Sequence, residues 1–214
     1  MKDTITIQIT DWYDLHKGYD LTLSAGYTAL VGPNGAGKTT LLCQLREYAQ
    51  KNGIQVFEYS NLADGGQHAT QTYLDTGRMT LFATAATSSE GEQIAIHFGE
   101  QVGKIGDAVR KAEKAGETIF VLLDAIDSGT SIDRARDIRN LFDLISRTSQ
   151  KAYVVMAVNH YELARDGVDC VNVRTGEHTA FASYDEYADF ICSFEKKYKR
   201  REVDHKRRRK TIND

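Results

Sequence analysis

The segment GPNGAGKTT, residues 32–40, constrains the fold of this chain more than any other part of it. It fits the pattern G-x-x-x-x-G-K-[ST], and it lies between an apolar run, GYTALV, and a segment with apolar residues at helical spacing. Glycines in such a turn let backbone N–H groups point at phosphate oxygens, and the helix that follows adds the positive end of its dipole. The pattern therefore predicts a phosphate-binding loop that connects a buried strand to a helix.

Three polar residues of this loop have expected tasks. Lys38 is expected to neutralise the β- and γ-phosphates, Thr39 to ligate Mg²⁺, and Thr40 to reach the α-phosphate. The alternative, a glycine turn with an incidental lysine, is disfavoured by the flanking strand and helix. The predicted nucleotide-binding residues of the loop are Asn34, Gly35, Ala36, Gly37, Lys38, Thr39 and Thr40.

The rest of the chain alternates between strand and helix patterns. Short alternating or continuous apolar runs predict strands at 4–10, 19–24, 26–32, 54–60, 117–124 and 152–158, and a hairpin around 174–177. Apolar residues at helical spacing predict helices at 38–53, 93–116 and 131–149, and SYDE at 183–186 is a capping box that opens a further helix. Residues 61–90, rich in glycine, threonine and alanine, give no firm prediction. This alternation predicts an α/β fold with a β-sheet core flanked by helices.

A carboxylate stands where the most apolar predicted strand ends. Asp124 closes the run IFVLLD, and the carboxyl ends of parallel strands collect at one edge of a sheet. Asp124 is therefore expected to share a magnesium ion with Thr39. A helix-capping aspartate is the alternative.

Two further segments resemble motifs of ATP-binding cassette (ABC) proteins. SSEGEQ, residues 88–93, is similar to the family signature LSGGQ: Ser89 and Gly91 match it, whereas Glu90 departs from the small residue usual there. VNHYEL places His160 after a predicted strand, as in the family's switch-histidine motif.

Together with the loop and Asp124, these motifs make residues 1–195 resemble an ABC-type ATPase head, a P-loop NTPase with a mixed β-sheet core. DAIDSGTSID is closest in style to stand-alone chromosome-maintenance or recombination-repair ATPases. The short distance between Gly37 and Ser88 implies a reduced helical lobe, which disfavours a transporter cassette.

The resemblance implies ATP and Mg²⁺ as cofactors and a homodimer that sandwiches two nucleotides. Ser89 and Gly91 of one subunit would contact the γ-phosphate held by the other subunit's Lys38, and His160 would bond the same phosphate. Gln67 would contact Mg²⁺ and water, with Gln71 as an alternative. Residues 127–131 would run along the dimer interface, and Trp12 or Tyr13 would stack on the base.

The position of the family's catalytic glutamate is occupied by Ala125. A methyl group cannot accept a proton from water, and loss of a general base typically costs about 10²- to 10⁴-fold in rate. Three explanations remain open: a deliberate glutamate-to-alanine replacement that traps the ATP-bound dimer, a natural switch with slow turnover, or another carboxylate, Asp127 or Glu92, acting as the base. The predicted catalytic positions are Lys38, Asp124, Ala125 and His160.

The charge of the chain is unevenly distributed. Overall it has 27 basic and 30 acidic residues, but residues 196–210 contain ten of the basic ones beside only Glu202 and Asp204. We therefore expect an ATPase domain at 1–195 and a basic tail at 196–214 that binds nucleic acid or an acidic partner. A solvated helix end is the alternative.

The remaining features narrow the class of protein. No apolar run is long enough to span a bilayer and no signal peptide is visible, which predicts a cytoplasmic location. Three scattered cysteines form no zinc or disulfide pattern. The sequence thus predicts an ATP-dependent, nucleic-acid-associated ATPase with impaired hydrolysis. The second hypothesis is a nucleotide-gated protein-interaction switch in defence or regulation.

Overall fold

A computed structural model of the protein describes residues 2–11, 17–61, 75, 78–87, 90–128 and 130–194. The strands are β1 Thr4–Ile9, β2 Tyr19–Ser24, β3 Gly26–Val31, β4 Gln55–Ser60, β5 Ile119–Asp124, β6 Ala152–Ala157, β7 Asp169–Asn172 and β8 His178–Thr179. The helices are α1 Lys38–Lys51, α2 Met79–Thr87, α3 Glu90–Ala115, α4 Ile132–Thr148, a short 3₁₀ helix Tyr161–Leu163, and α5 over residues 184–194.

The central sheet has six strands in the order β4-β5-β6-β3-β7-β8. The first five strands in this order run parallel to one another, and β8 pairs antiparallel with β7. The carboxyl ends of the parallel strands consequently meet at one edge of the sheet. Because β6 lies between β3 and β5, the segment that follows β6 begins at this edge, between the ends of β3 and β5.

One face of this sheet is covered by α1 and by a separate two-stranded sheet. β1 and β2 pair antiparallel, with Ile7 opposite Leu21. Their inward side chains alternate with exposed ones, as the sequence pattern predicts, and form a single core with Leu41 and Leu45 of α1. The two-stranded sheet thus packs against the helix that follows the loop.

The opposite face of the central sheet is covered by α3 and α4. In α4, Ala135, Ile138, Phe142 and Ile145 recur at three- or four-residue intervals and are buried. They share a core with Ile105 and other residues of α3 and with the alternate side chains of β3, β5 and β6. The sheet is therefore buried on both faces, which explains why β3 and β6 are continuous apolar runs.

The α/β prediction is confirmed, since a mixed sheet is flanked by helices. Every predicted strand is present, and the hairpin around 174–177 joins β7 to β8. The capping box is present in part: the Ser183 hydroxyl accepts a hydrogen bond from the N–H of Glu186 at 3.2 Å, whereas the Glu186 carboxylate accepts one at 2.8 Å from the N–H of Ala182, one residue before the N-cap. α3 begins at Glu90, three residues before the predicted start, and α2 occupies part of the segment 61–90, for which no firm prediction was made.

No helix in the part of the chain that the structure describes combines the length and the apolar composition that crossing a bilayer requires.

Candidate functional site

The glycine-rich loop turns sharply between β3 and α1. Gly35 and Gly37 have φ angles of 77° and 102°, in the left-handed region that residues with a Cβ rarely adopt. Gly37 is the N-cap of α1, so the free N–H groups of the first turn of that helix face the loop. The geometry is that of a backbone cradle for an anion at the positive end of a helix.

Lys38 lies within this cradle and is only 8% exposed. Its Nζ donates hydrogen bonds to two carbonyls of the loop, Gly32 O at 2.6 Å and Pro33 O at 3.2 Å. Burial lowers the pKa of the Lys38 ammonium, while the negative charges of Asp127 and Asp124 act in the opposite direction. A cation is thus held close to the loop by backbone oxygens and nearby carboxylates.

The two predicted metal ligands are in direct contact. Thr39 Oγ1 donates a hydrogen bond to Asp124 Oδ2 at 2.9 Å, joining the start of α1 to the end of β5. A hydroxyl and a carboxylate are hard oxygen donors, and Mg²⁺ is usually held by one or two protein groups together with substrate phosphates and water. The pair therefore fits a magnesium ion that is shared with a phosphate bound in the loop.

A cavity of about 460 Å³ opens beside this pair. It is lined by Asn34, Gly35, Gly37, Lys38, Thr39, Thr40, Asp124, Ala125, Ser128 and Asn159. Six of the seven predicted loop residues are in this set, and the structure places Asp124 and Ala125 with them.

Ala36 is the predicted loop residue that does not line the cavity. Its side chain is buried in the core beneath α1, and its N–H donates a hydrogen bond to Pro33 O at 3.1 Å. Ala36 therefore stabilises the turn of the loop through its backbone hydrogen bond and its buried side chain.

Two cavity residues, Ser128 and Asn159, were not predicted to contact the nucleotide; Ser128 was expected only as part of the dimer-interface segment 127–131. Ser128 follows β5 and Asn159 follows β6, so both stand just beyond the carboxyl end of a parallel strand. That position is where ligands bind in open α/β sheets, and it was the signal that could have identified them.

Ala125 adopts a left-handed conformation, with a φ of 52° and 9% exposure. For a residue with a Cβ this backbone costs roughly 1–3 kcal/mol. The methyl group lies at the cavity beside Asp124, where it can neither accept nor donate a proton.

Neither alternative base is suitably placed. Asp127 is 6% exposed, and its Oδ2 accepts hydrogen bonds from the backbone N–H groups of Asn159 at 2.5 Å and His160 at 2.9 Å. Glu92 lies in the first turn of α3 and, among the residues that the structure describes, is not part of the cavity wall. The geometry therefore disfavours the explanation in which one of these carboxylates replaces a glutamate at position 125.

His160 follows β6 directly after Asn159, but it does not line the cavity. Its backbone is fixed by Asp127, and its Nδ1 is buried without a hydrogen-bond partner among the described residues. A contact between His160 and a phosphate stays a prediction.

Several predicted residues lie outside the described residues. These are Trp12, Tyr13, Gln67, Gln71, Ser89 and the basic residues of 196–210. Gly91 is described and lies in the first turn of α3, two residues before the predicted start of that helix.

Comparison with solved structures gives distant similarities of fold. An ATP-binding cassette from an ABC transporter, solved without nucleotide, matches with 12% identity over 90% of this chain and 96% of that one, with a TM-score of 0.49. The cbiO1 protein from Clostridium perfringens, part of the ABC transporter complex cbiONQ, matches with 12% identity over 82% of this chain and 84% of that one, with a TM-score of 0.45. Among curated proteins, none matches the sequence significantly.

The sequence also matches a protein family over residues 28–168, the ATPase family associated with various cellular activities (AAA). The matched segment begins in β3 and contains the glycine-rich loop, Asp124 and His160, so it includes the whole described wall of the cavity. With a P-loop, a hydroxyl–carboxylate pair and this match over most of its length, the chain belongs to the ATPase family associated with various cellular activities.

Proposed function

We propose that this protein is an ATPase that binds Mg-ATP in the cavity beside Lys38 and hydrolyses it slowly. The observation that carries the proposal is the contact between Thr39 and Asp124 at the mouth of the loop, with Ala125 next to it. Thr39 and Asp124 have the donor atoms and the separation that a shared magnesium ion requires. Ala125 leaves the site without a proton acceptor at the adjacent position.

The residues of the loop have distinct tasks in this proposal. The backbone N–H groups at the start of α1 and the Lys38 ammonium hold the β- and γ-phosphates, and Thr40 contacts the α-phosphate. Magnesium, when bound, neutralises phosphate charge and orients the terminal phosphate. Without a base at position 125, the attacking water is not deprotonated by the protein, and we expect turnover about 10²- to 10⁴-fold below that of a complete site.

The test is the replacement of Ala125 by glutamate, with Ala125→Gln as the matched control. Glutamine has the size of glutamate but cannot accept a proton, so it separates base catalysis from filling of the cavity. Phosphate release from ATP is expected to rise by about 10²- to 10⁴-fold in Ala125→Glu and to stay low in Ala125→Gln. Equal rates in the two variants would contradict the assignment of position 125.

The same experiment distinguishes the second candidate, a nucleotide-gated protein-interaction switch in defence or regulation. The residue that favours this candidate is Ala125 itself, because a site without a base retains bound ATP. If Ala125→Glu binds ATP as tightly as the parent and releases no more phosphate, the site is adapted to binding, and the switch is the better description.

We further propose that ATP closes a homodimer in which Ser89 and Gly91 of one subunit contact the nucleotide bound by the other. The support is the resemblance of SSEGEQ to the ABC signature and its place at the start of α3. A ligand shifts such an equilibrium only through unequal affinity for the two states, so ATP and ADP must differ in effect. Light scattering with Mg-ATP should show a dimer that Mg-ADP does not produce; a monomer in both would contradict the sandwich.

The proposed target is nucleic acid, as in the chromosome-maintenance and repair ATPases that DAIDSGTSID resembles, in a cytoplasmic setting. The support is the concentration of ten basic residues in 196–210, which we treat as a tail beyond a domain at 1–195. Deletion of residues 196–214 should weaken DNA or RNA binding and flatten its dependence on salt. Unchanged binding after the deletion would exclude the tail as the nucleic-acid contact.

A further inference from the structure

Asp127 is a buried carboxylate that lies next to the cavity but does not line it. It stands in the turn after β5, three residues beyond Asp124, and is 6% exposed. Burial of a carboxylate is costly unless hydrogen bonds compensate for the lost water. Asp127 receives two such bonds on one oxygen, from the backbone N–H groups of Asn159 and His160 at 2.5 and 2.9 Å.

These two N–H groups belong to the point where the chain leaves the central sheet. The N–H of Val158 donates a hydrogen bond to Leu30 O of β3 at 3.1 Å. This bond continues the hydrogen-bond ladder between β6 and β3. The next two N–H groups donate to Asp127 instead. The carboxylate thus accepts bonds at the place where the chain turns away from β3 and toward the cavity.

The downstream part of this segment is anchored by other groups. Tyr27 Oη donates a hydrogen bond to Leu163 O at 2.8 Å, and the Glu162 carboxylate accepts bonds from Arg136 and Arg165, each at 2.9 Å. Among the described residues, Asp127 is the side chain that holds the upstream part, where Asn159 reaches the cavity wall.

The negative charge of Asp127 also affects Lys38 in the glycine-rich loop. It counteracts the effect of burial on the pKa of Lys38, and it adds to the burial that raises the pKa of Tyr187. Its second oxygen, Oδ1, is buried and accepts no hydrogen bond within the described part of the chain. Asp127 Oδ2 therefore serves as a fixed acceptor for these two backbone N–H groups.

We propose that Asp127 is a positioning residue of the nucleotide site: it fixes the backbone of Asn159 and His160 at the edge of the cavity and ties the turn after β5 to the turn after β6. This role in nucleotide turnover rests on the proposed function, whereas the backbone contacts can be tested without nucleotide.

The first experiment measures amide hydrogen exchange in the nucleotide-free protein. The N–H groups of Asn159 and His160 lie outside any strand or helix, yet they should be protected in the parent protein. In Asp127→Ala their exchange should rise by about tenfold or more, because both lose their acceptor. In Asp127→Asn the amide oxygen can still accept both bonds, so most of the protection should return.

Asp137→Asn is the matched control, since Asp137 is exposed on α4 and loses a charge without affecting this turn. Amides inside β6 should exchange at parental rates in all variants that fold. Unprotected amides at 159 and 160 in the parent protein would overturn the proposal even if Asp127→Ala fails to fold.

The second experiment measures ATP turnover with Ala125→Glu as the background. Adding Asp127→Ala should lower kcat by roughly 10²-fold, because small misplacements of site residues have effects of that size, with a much smaller change in KM. Asp127→Asn should recover most of the loss, and Asp137→Asn should have no effect.

The two experiments separate the possible failures. If the amides behave as expected but no variant binds nucleotide, the proposed function is wrong and the backbone contacts stand. If the amides behave as expected and kcat is unchanged, the positioning role in turnover is wrong.

Discussion

Thr39 and Asp124 are 85 positions apart in sequence, yet the Thr39 hydroxyl donates a hydrogen bond to the Asp124 carboxylate at 2.9 Å. The contact exists because α1 begins at the carboxyl end of β3, and β5 ends at the same edge of the sheet two strands away. Two oxygen donors are thereby held together beside the buried Lys38 ammonium.

Removal of either oxygen should weaken the magnesium-dependent part of nucleotide binding. Thr39→Ala and Asp124→Asn are each expected to reduce ATP affinity about tenfold or more in Mg²⁺, since a bond to a charged group is worth about 1.5–3 kcal/mol. Calorimetric titrations with Mg²⁺ and with EDTA measure the difference, and Asp137→Asn is the control. If Asp124→Asn binds Mg-ATP as tightly as the parent protein, Asp124 is not a ligand of the metal.

As the pH is raised, nucleotide affinity should begin to fall at a lower pH than it would if Lys38 had the pKa of an ordinary lysine. Burial lowers the pKa of Lys38 from its usual 10.5, and binding of phosphate requires the ammonium form. As pH rises through the lowered pKa, a proton must be taken up on binding, so affinity decreases in a window that begins below 10.5. Fluorescence titrations from pH 7 to 10 should show this decrease. Lys38→Arg, whose guanidinium does not titrate there, should bind with a flat pH profile; a similar decrease in this variant would implicate another group.

The three cysteines should differ sharply in reactivity. Cys170 is fully buried, and burial, together with the charge of Asp169, raises the pKa of its thiol to about 12. Cys192 is exposed on α5 and Cys43 is half-buried on α1. In native protein a maleimide should label Cys192 first and Cys170 at least about 10²-fold more slowly, since the thiolate is the reactive form. Mass spectrometry of labelled peptides identifies the sites, and equal rates in urea are the control; rapid native labelling of Cys170 would contradict its burial.

Gly176 should tolerate a Cβ much less well than Gly53. Both have a positive φ, 73° and 64°, so alanine costs about 1–2 kcal/mol of backbone strain at either position. A Cβ at Gly176 would also lie 2.3 Å from Cδ2 of Tyr19. The Tyr19 ring is held in place by the hydrogen bond from its hydroxyl to Val173 O. A Cβ at Gly53, in contrast, would meet nothing within 4 Å. Gly176→Ala should therefore cost about 1–3 kcal/mol more than Gly53→Ala in the free energy of unfolding. Urea denaturation measures both, and equal losses would show that Tyr19 can move away.

Local patterns were sufficient for most of the fold. The alternation of Ile5, Ile7 and Ile9 and the apolar run before Asp124 identified strands correctly, because strand periodicity is a property of neighbouring residues. Strand order was not predictable in the same way. The apolar sequence of β6 does not specify that this strand lies between β3 and β5. A strand that is buried on both faces has apolar side chains throughout, so it could pair with any other strand of this kind.

The candidate site was predictable to the extent that it depends on motifs. The loop, Asp124 and Ala125 are contiguous patterns whose spacing has physical meaning, and the structure places them around one cavity. The contact between Asp127 and Asn159 was not predicted, because it joins two turns 32 positions apart and its donor is a backbone N–H, which residue type does not reveal. Residues 61–90 were ambiguous because alanine, threonine and glycine are compatible with several local structures.

The bonds from Lys38 Nζ to Gly32 O and Pro33 O have a consequence for selectivity. The ammonium already has two acceptors from its own loop, so an incoming anion gains little from a single point of negative charge. The third N–H of the ammonium remains to donate to a ligand bound in the loop. We therefore expect an anion with several oxygens, such as a polyphosphate, to bind better than a single carboxylate or chloride, because it can accept a hydrogen bond from Lys38 and from the N–H groups of α1 at the same time.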